Sequence, residues 1–194
     1  YIRQHEALGL GHAVLCAKKA VGAEPFMVIL ADDLIYSSTT PCLNKMVEIS
    51  SENNSSVLAV EAVPQERVSQ YGVIDPRTTS NKISELKGIV EKPSAEDAPS
   101  NLSVVGRYVL QPEIFEILES TQSGAGGEIQ LTDAIAELLK QQKVQGYQFD
   151  GIRYDCGSKL GYMKANVEYA LRHSEISCDF IKYLDTLRFE LCAA

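Results

Sequence analysis

Positive charge is scarce in this chain: 18 lysines and arginines stand against 26 aspartates and glutamates, a formal net charge of −8. Binding nucleic acid or an anionic membrane by a basic footprint needs clustered Lys and Arg, so neither is expected as a partner. An anionic ligand would have to be met locally, by a few basic side chains and a metal. Long apolar runs are missing too. The longest mostly apolar stretch, residues 25–30, is followed by Asp32-Asp33 and falls far short of the roughly 20 residues a membrane-spanning helix needs. Nothing at the start resembles a secretory leader. The five cysteines (Cys16, Cys42, Cys156, Cys178, Cys192) are odd in number with no C-x-x-C pair, which suits reduced thiols in the cytosol better than a disulfide frame. His5, His12 and His173 make no zinc spacing, and no Walker sequence occurs, which argues against P-loop ATPase or GTPase chemistry. An initiator Met is also lacking: Tyr1-Ile2-Arg3-Gln4 runs straight into patterned sequence, so a piece of a longer polypeptide is expected.

What is present suits a folded α/β domain. The 194 residues, 45% of them apolar, are enough for one full core. Helical spacing over residues 8–21 (Leu10, Ala13, Val14, Ala17, Val21) predicts a helix entered from a loop carrying Gly9 and Gly11. Residues 26–30 form an apolar run without alternation, as expected of a central strand covered on both faces. Thr40-Pro41 predicts an N-cap and first helical residue, with Leu43, Met46, Val47 and Ile49 as the buried face. Residues 57–63 read as a second buried strand. Residues 72–75 and 82–90 read as a hairpin around a polar link, 76–81. Strand 102–110, a helix after Pro112, a breaker at 123–127 and a helix with Leu131, Ile135 and Leu138 follow. Short strands at 144–149 and 152–154 then precede helices 160–171 and 178–191, the last with Phe180, Ile181, Leu184, Leu187 and Leu191 on one face. Tyr162, Met163 and Tyr169 read as core. This alternation predicts a single α/β sheet domain.

In open α/β sheets, ligands gather beyond the carboxyl ends of the strands. Asp32, Glu91 with Lys92, and Asp155 all fall at predicted strand ends. Mg²⁺ takes few carboxylates and completes its octahedron with phosphate oxygens and water, so two aspartates from different strands suffice as protein ligands. Neighbours on a strand point to opposite faces, so Glu91 and Lys92 can serve one ligand only if the strand twists or ends there. Gln4 and Gly9 lie in the loop before the first helix, where an amide could pair with a base edge and a glycine lets the backbone come close. His12 and Cys16, at i and i+4, read as a surface or packing pair.

Six segments occur in order: Arg3-Gln4-His5-Glu6-Ala7-Leu8-Gly9-Leu10-Gly11-His12-Ala13, Val28-Ile29-Leu30-Ala31-Asp32-Asp33, Ile89-Val90-Glu91-Lys92-Pro93, Val105-Gly106-Arg107-Tyr108, Gly126-Gly127-Glu128-Ile129-Gln130-Leu131-Thr132-Asp133-Ala134, and Tyr154-Asp155-Cys156-Gly157-Ser158-Lys159-Leu160-Gly161-Tyr162. Together they closely resemble the bacterial UTP:glucose-1-phosphate uridylyltransferases, also called UDP-glucose pyrophosphorylases. The resemblance implies a Rossmann-like nucleotidyltransferase fold with a mixed, mostly parallel sheet flanked by helices. It implies in-line attack by the glucose-1-phosphate oxygen on the α-phosphorus of UTP, giving UDP-glucose and pyrophosphate. By the same resemblance Gln4 and Gly9 read the uracil, Asp32 and Asp155 hold Mg²⁺, and Glu91 accepts from glucose hydroxyls. The Gly106 backbone contacts the sugar, Lys92 binds its phosphate, Glu128 lines the sugar pocket, and the protein is a homo-oligomer. The family's G-x-G-T-R and P-K-E segments, which hold the triphosphate, do not occur in this sequence. Residues 1–194 are thus expected to be the nucleotidyltransferase domain without its triphosphate-binding segment, inactive in isolation and with a sheet edge exposed. Two alternatives stay open: a dTTP-dependent relative, since uracil and thymine differ by one methyl, and a noncatalytic nucleotide-sugar binding module.

Overall fold

The alternation of helical and extended patterning is realised along most of the chain. The computed structural model describes the backbone of residues 1–193 and the side chains of all but 125 and 188–193. The elements are α1 (Leu10–Cys16), α2 (Lys18–Val21), β1 (Phe26–Ile29), β2 (Asp33–Tyr36), α3 (Cys42–Asn53), β3 (Ser56–Ala62), β4 (Gly72–Ser80), β5 (Ile83–Glu91) and β6 (Leu102–Leu110). They continue with α4 (Ile114–Ser120), α5 (Leu131–Leu138), β7 (Val144–Gln148), β8 (Ile152–Asp155), α6 (Lys159–Arg172) and α7 (Ser177–Ala193). They fall into two compact units, the first built from Tyr1–Leu30 and Ser37–Gly151, the second from Ala31–Tyr36 and the chain from Ile152 onward.

The first unit is a six-stranded sheet in the order β1-β6-β3-β7-β5-β4. The sheet is mixed, but the expectation of mostly parallel strands is corrected: among the described strands only β3 and β7 run parallel, and β1–β6, β3–β6, β4–β5 and β5–β7 are antiparallel. Apolar runs reveal that a strand is buried and say nothing about the direction of its neighbour. β3 alternates between two buried faces. Leu58 and Val60 join one cluster with Val14 of α1, Phe115 and Leu118 of α4, and Ile135 and Leu138 of α5, while Val57 and Ala59 point to the other face. There α3 packs against β3 and β6, with Met46 and Ile49 buried. Each such fully buried aliphatic side chain contributes about 1.5–3 kcal/mol. A buried polar network ties the end of α3 to the sheet: Ser50 Oγ donates to the Ser55 carbonyl at 2.8 Å, Ser55 Oγ donates to Gln145 Oε1 at 2.8 Å, and Gln111 Nε2 donates to Ser50 Oγ at 3.2 Å.

Several local expectations shift. β1 is an edge strand among the described residues rather than a central one; Phe26 stacks on Phe115 with centroids 4.8 Å apart, but Met27 and Ile29 are each 52% exposed. The helix expected over 8–21 breaks at Ala17 into α1 and α2. Pro41 occupies the cap position of α3, one residue later than expected, with no side-chain cap bond. The β4–β5 hairpin is longer than the apolar pattern suggests because its turn is only Asn81-Lys82, both left-handed (φ 49° and 67°), the geometry whose twist matches paired strands. Pro76 is accommodated where the β4 register shifts, on an edge strand.

The second unit pairs β2 with β8 antiparallel, Asp33 opposite Asp155 and Tyr36 opposite Ile152, and adds α6 and α7. Tyr169 of α6 meets Tyr36 and Tyr154 edge-on at 6.3 and 5.9 Å, and the Arg172 guanidinium lies 4.4 Å from the centre of the Tyr36 ring. Tyr162 and Met163, read as core, are 55% and 58% exposed; Ala165 is what α6 buries. Ile181 on α7 is half exposed, and Leu191 lies outside the residues whose side chains are described. Cys16, Cys42, Cys156 and Cys178 are free thiols, and Cys192 lies outside those residues too. Burial raises the Cys42 thiol to about 11, which keeps it protonated and unreactive at neutral pH. Among the described residues, no helix is long and apolar enough to cross a membrane.

Candidate active site

At the start of β2 two adjacent aspartates have different fates. Asp33 is buried and accepts from Arg153 Nε at 2.5 Å, both side chains being almost fully enclosed. Asp32, one residue earlier, is exposed. Its carbonyl accepts from the Cys156 N–H at 2.7 Å, continuing the β2–β8 pairing beyond the strands and holding Asp32 beside Asp155. Their carboxylates converge over Gly157: a Cβ built there would lie 3.1 Å from Asp32 Oδ2 and 3.2 Å from Asp155 Oδ1. The missing side chain leaves open the place where two carboxylate oxygens face one point.

The next residues fix that geometry. The Gly157 N–H donates to Asp155 Oδ1 at 3.1 Å. Ser158 Oγ donates to the Asp155 carbonyl at 3.1 Å and accepts from the Gly161 N–H at 3.0 Å, capping α6. A Cβ at Gly161 would fall 1.8 Å from the Asp155 carbonyl oxygen, so the first turn of α6 can rest on Asp155 only through a glycine. Among the described residues no group of three or more His, Cys, Asp or Glu side chains could hold a metal. The donor set on offer is two carboxylates with space between them, the set a hard cation such as Mg²⁺ uses when phosphates and water supply its other oxygens.

In the first unit the β5 end carries Glu91 and Lys92. Alternation should send them to opposite faces, but β5 stops at Glu91 and Lys92 has a left-handed backbone (φ 45°), held by its N–H donating to the Tyr71 carbonyl at 2.9 Å. Lys92 Nζ therefore returns to within 3.6 Å of Glu91 Oε1. A non-glycine residue in this region costs about 1–2 kcal/mol, and such strain gathers at functional sites. Glu91 Oε2 accepts from the Thr132 hydroxyl at 2.7 Å, and a Cβ at Gly72 would crowd both Thr132 and Glu91. The neighbouring Asp133 carboxyl is pushed above its usual range, first by burial and then by the charge of Glu91.

Gln4, Gly9 and Glu128 also meet in this unit. The Ile129 N–H donates to the Leu8 carbonyl at 2.7 Å and the Gly11 N–H to the Ile129 carbonyl at 2.9 Å. This zips the first loop to the segment after Gly127. Gly9 (φ 93°) and Gly11 are needed for this approach, since Cβ atoms there would come within 2.8 Å of Glu128 Cβ and 2.7 Å of the Ile129 carbonyl oxygen. Glu128 Oε2 accepts from Gln130 Nε2 at 3.0 Å. Gln4 Nε2 donates to the Gly9 carbonyl at 3.1 Å and lies 3.0 Å from His12 Nδ1. Gly106 is buried within β6, its carbonyl accepting from the Leu30 N–H at 2.9 Å and an Arg107 guanidinium N–H at 2.7 Å.

Thr132, Gly157, Gly161 and His12 escape a residue-by-residue reading of the sequence. Each supports a candidate site residue by contact or close approach, and the sequence signal for them is membership in the quoted segments.

Comparison with known proteins fits this arrangement. The Nucleotidyl transferase family profile matches residues 1–172. The UTP–glucose-1-phosphate uridylyltransferase of Staphylococcus epidermidis is 49% identical over 188 residues, 95% of this chain and 65% of the relative. A solved UDP-glucose pyrophosphorylase complexed with UDP-glucose superposes with a TM-score of 0.86 at 46% identity, over 89% of this chain and 66% of that one. A UTP-bound UGPase from Acinetobacter baumannii gives 0.86 at 45% identity, over 94% and 64%. The chain thus spans a little less than two thirds of each relative's length. With the family profile matching residues 1–172, the chain belongs to the nucleotidyl transferase family.

Proposed function

We propose that the full-length protein carrying this chain joins UTP and glucose-1-phosphate, releasing pyrophosphate and UDP-glucose. The observation that carries this reading is the convergence of the Asp32 and Asp155 carboxylates over Gly157. An oxygen of the sugar phosphate attacks the α-phosphorus in line, and the bond from that phosphorus to the β-phosphate oxygen breaks. Positioning and charge neutralisation are what such a reaction asks of the protein. Asp32 and Asp155 would hold Mg²⁺, which supplies charge neutralisation on the phosphates. Lys92 binds the sugar phosphate as a point charge, and Glu91, oriented by Thr132, accepts from glucose hydroxyls with the lone pairs its present partners leave. Gln4 and Gly9 read the base, and Glu128 and the Gly106 backbone line the sugar side. The protein works in the cytoplasm, and as a homo-oligomer; the exposed Leu160, Met163, Ile176 and Tyr183 of the second unit support the second of these.

Pyrophosphate release by the full-length protein, measured over a panel of nucleoside triphosphates and sugar-1-phosphates, tests this. Turnover fastest with UTP and glucose-1-phosphate and dependent on Mg²⁺ is expected. A preference for dTTP, or UDP-glucose binding without pyrophosphate exchange, would contradict it.

A further inference from the structure

The Gln4 side chain makes two hydrogen bonds that together fix its orientation. The Gly9 carbonyl can only accept, so the amide nitrogen, not the amide oxygen, must face it at 3.1 Å. The same nitrogen lies 3.0 Å from His12 Nδ1. With both atoms in place, the second amide hydrogen points at Nδ1, which must then be the unprotonated, accepting nitrogen. The ring proton belongs on Nε2, on the side where Cys16 Sγ lies 3.9 Å away. His12 and Gln4 are both partly buried, which strengthens the preference for this pairing over exchange with water. Both amide hydrogens are thus used within the protein, and among the described residues Gln4 Oε1 has no partner.

We infer that His12 is a positioning residue that locks the Gln4 amide with its oxygen outward, so that the site accepts a hydrogen bond from its nucleobase and donates none through this side chain. The inference rests on the reading of Gln4 as the base contact. What it adds is the role of His12: the outward Oε1 suits a base presenting an imide N–H, as uracil and thymine do, rather than cytosine, whose N3 is an acceptor and would face Oε1 with like polarity. Without an acceptor at Nδ1 only the Gly9 carbonyl still holds the amide, so its orientation loosens and the discrimination weakens.

The test uses the full-length protein with three variants, His12→Leu, His12→Asn and Gln4→Leu, measuring KM for UTP, KM for glucose-1-phosphate and the ratio of kcat/KM for UTP to that for CTP. Asn carries an oxygen near the place of Nδ1, so it can restore the acceptor. His12→Leu is expected to raise KM for UTP about tenfold and lower the UTP:CTP ratio by about the same factor, the worth of roughly one hydrogen bond, with KM for glucose-1-phosphate unchanged. His12→Asn should recover most of the ratio. An unchanged ratio in His12→Leu, or an equal fall in the Leu and Asn variants, would overturn the positioning role. If His12→Leu does not fold, nitrogen-15 NMR of the wild-type histidine decides: a proton on Nε2 supports the inference and a proton on Nδ1 overturns it. Gln4→Leu separates the two layers. A raised KM for UTP there with no effect at His12 removes only this inference, whereas an unchanged KM for UTP removes the reading of Gln4 with it.

Discussion

Asp32 and Asp155 come from distant parts of the sequence and are joined by strand pairing, whereas Glu91 and Lys92 are sequence neighbours turned to one side by a left-handed backbone. In the second unit the β2–β8 pairing sets Asp33 opposite Asp155, the Cys156 N–H to Asp32 carbonyl bond holds Asp32 beside Asp155, and glycines at 157 and 161 keep their surroundings open and tight respectively. In the first unit the end of β5 and the φ of Lys92 do the corresponding work, with Thr132 holding one carboxylate oxygen. The difference teaches where each arrangement is vulnerable: the aspartates to changes in packing around them, and the Glu91-Lys92 pair to changes in backbone and orientation.

The sharpest contrast lies within Asp32-Asp33. Asp33→Ala leaves Arg153 charged and enclosed, and breaking a buried pair from one side costs about 3–5 kcal/mol. Asp32→Ala, at an exposed position, should cost no more than about 0.5 kcal/mol. Urea unfolding of the two variants checks this, and equal losses would break the division into a structural and a ligand-facing carboxylate. At the β5 end, Lys92→Ala should raise KM for glucose-1-phosphate about 30-fold in the full-length enzyme, the scale of one charged hydrogen bond, with little change in KM for UTP. Thr132→Val keeps the shape and removes the hydroxyl donated to Glu91; a rise of about fivefold in KM for glucose-1-phosphate is expected. Steady-state kinetics with each substrate varied in turn reads both. The smallest effect concerns reactivity: alkylation at neutral pH should modify the exposed Cys178 and spare the buried, protonated Cys42, as mass spectrometry of the folded protein would report.

Much of this was legible in the chain, for physical reasons that differ by element. The run at 102–110 and the periodicity around Leu131 announced β6 and α5 because burial on fixed faces leaves a periodic trace. Strand direction leaves no such trace, so the antiparallel character of the sheet could not be read. Nor could the edge position of β1, since a short apolar run looks alike at an edge and at a centre. The turn at Asn81-Lys82 is shorter than the composition of 76–81 suggests, because Pro76 and Thr78 are turn-like residues in positions the β4 register shifts absorb. Of the candidate site, the charged residues stood out and their supports did not. Asp32, Glu91, Lys92 and Asp155 belong to strand ends, where carboxylates draw notice. Thr132 reaches Glu91 across 41 positions, a contact no spacing in the sequence encodes, while Gly157, Gly161 and His12 act locally but through close approaches that composition does not announce. The open point over Gly157, in particular, depends on an atom that a glycine lacks.

We propose that Asp32 and Asp155 together bind one divalent cation that serves the transfer at phosphorus. Its most direct measurement is a Mg²⁺ titration of pyrophosphate release by the full-length protein and its Asp155→Asn variant. In the variant the rate at saturating UTP and glucose-1-phosphate should fall about 100-fold or more, with a half-saturating Mg²⁺ concentration moved upward and the fold intact by circular dichroism. A variant with the wild-type rate and the wild-type Mg²⁺ midpoint would contradict it.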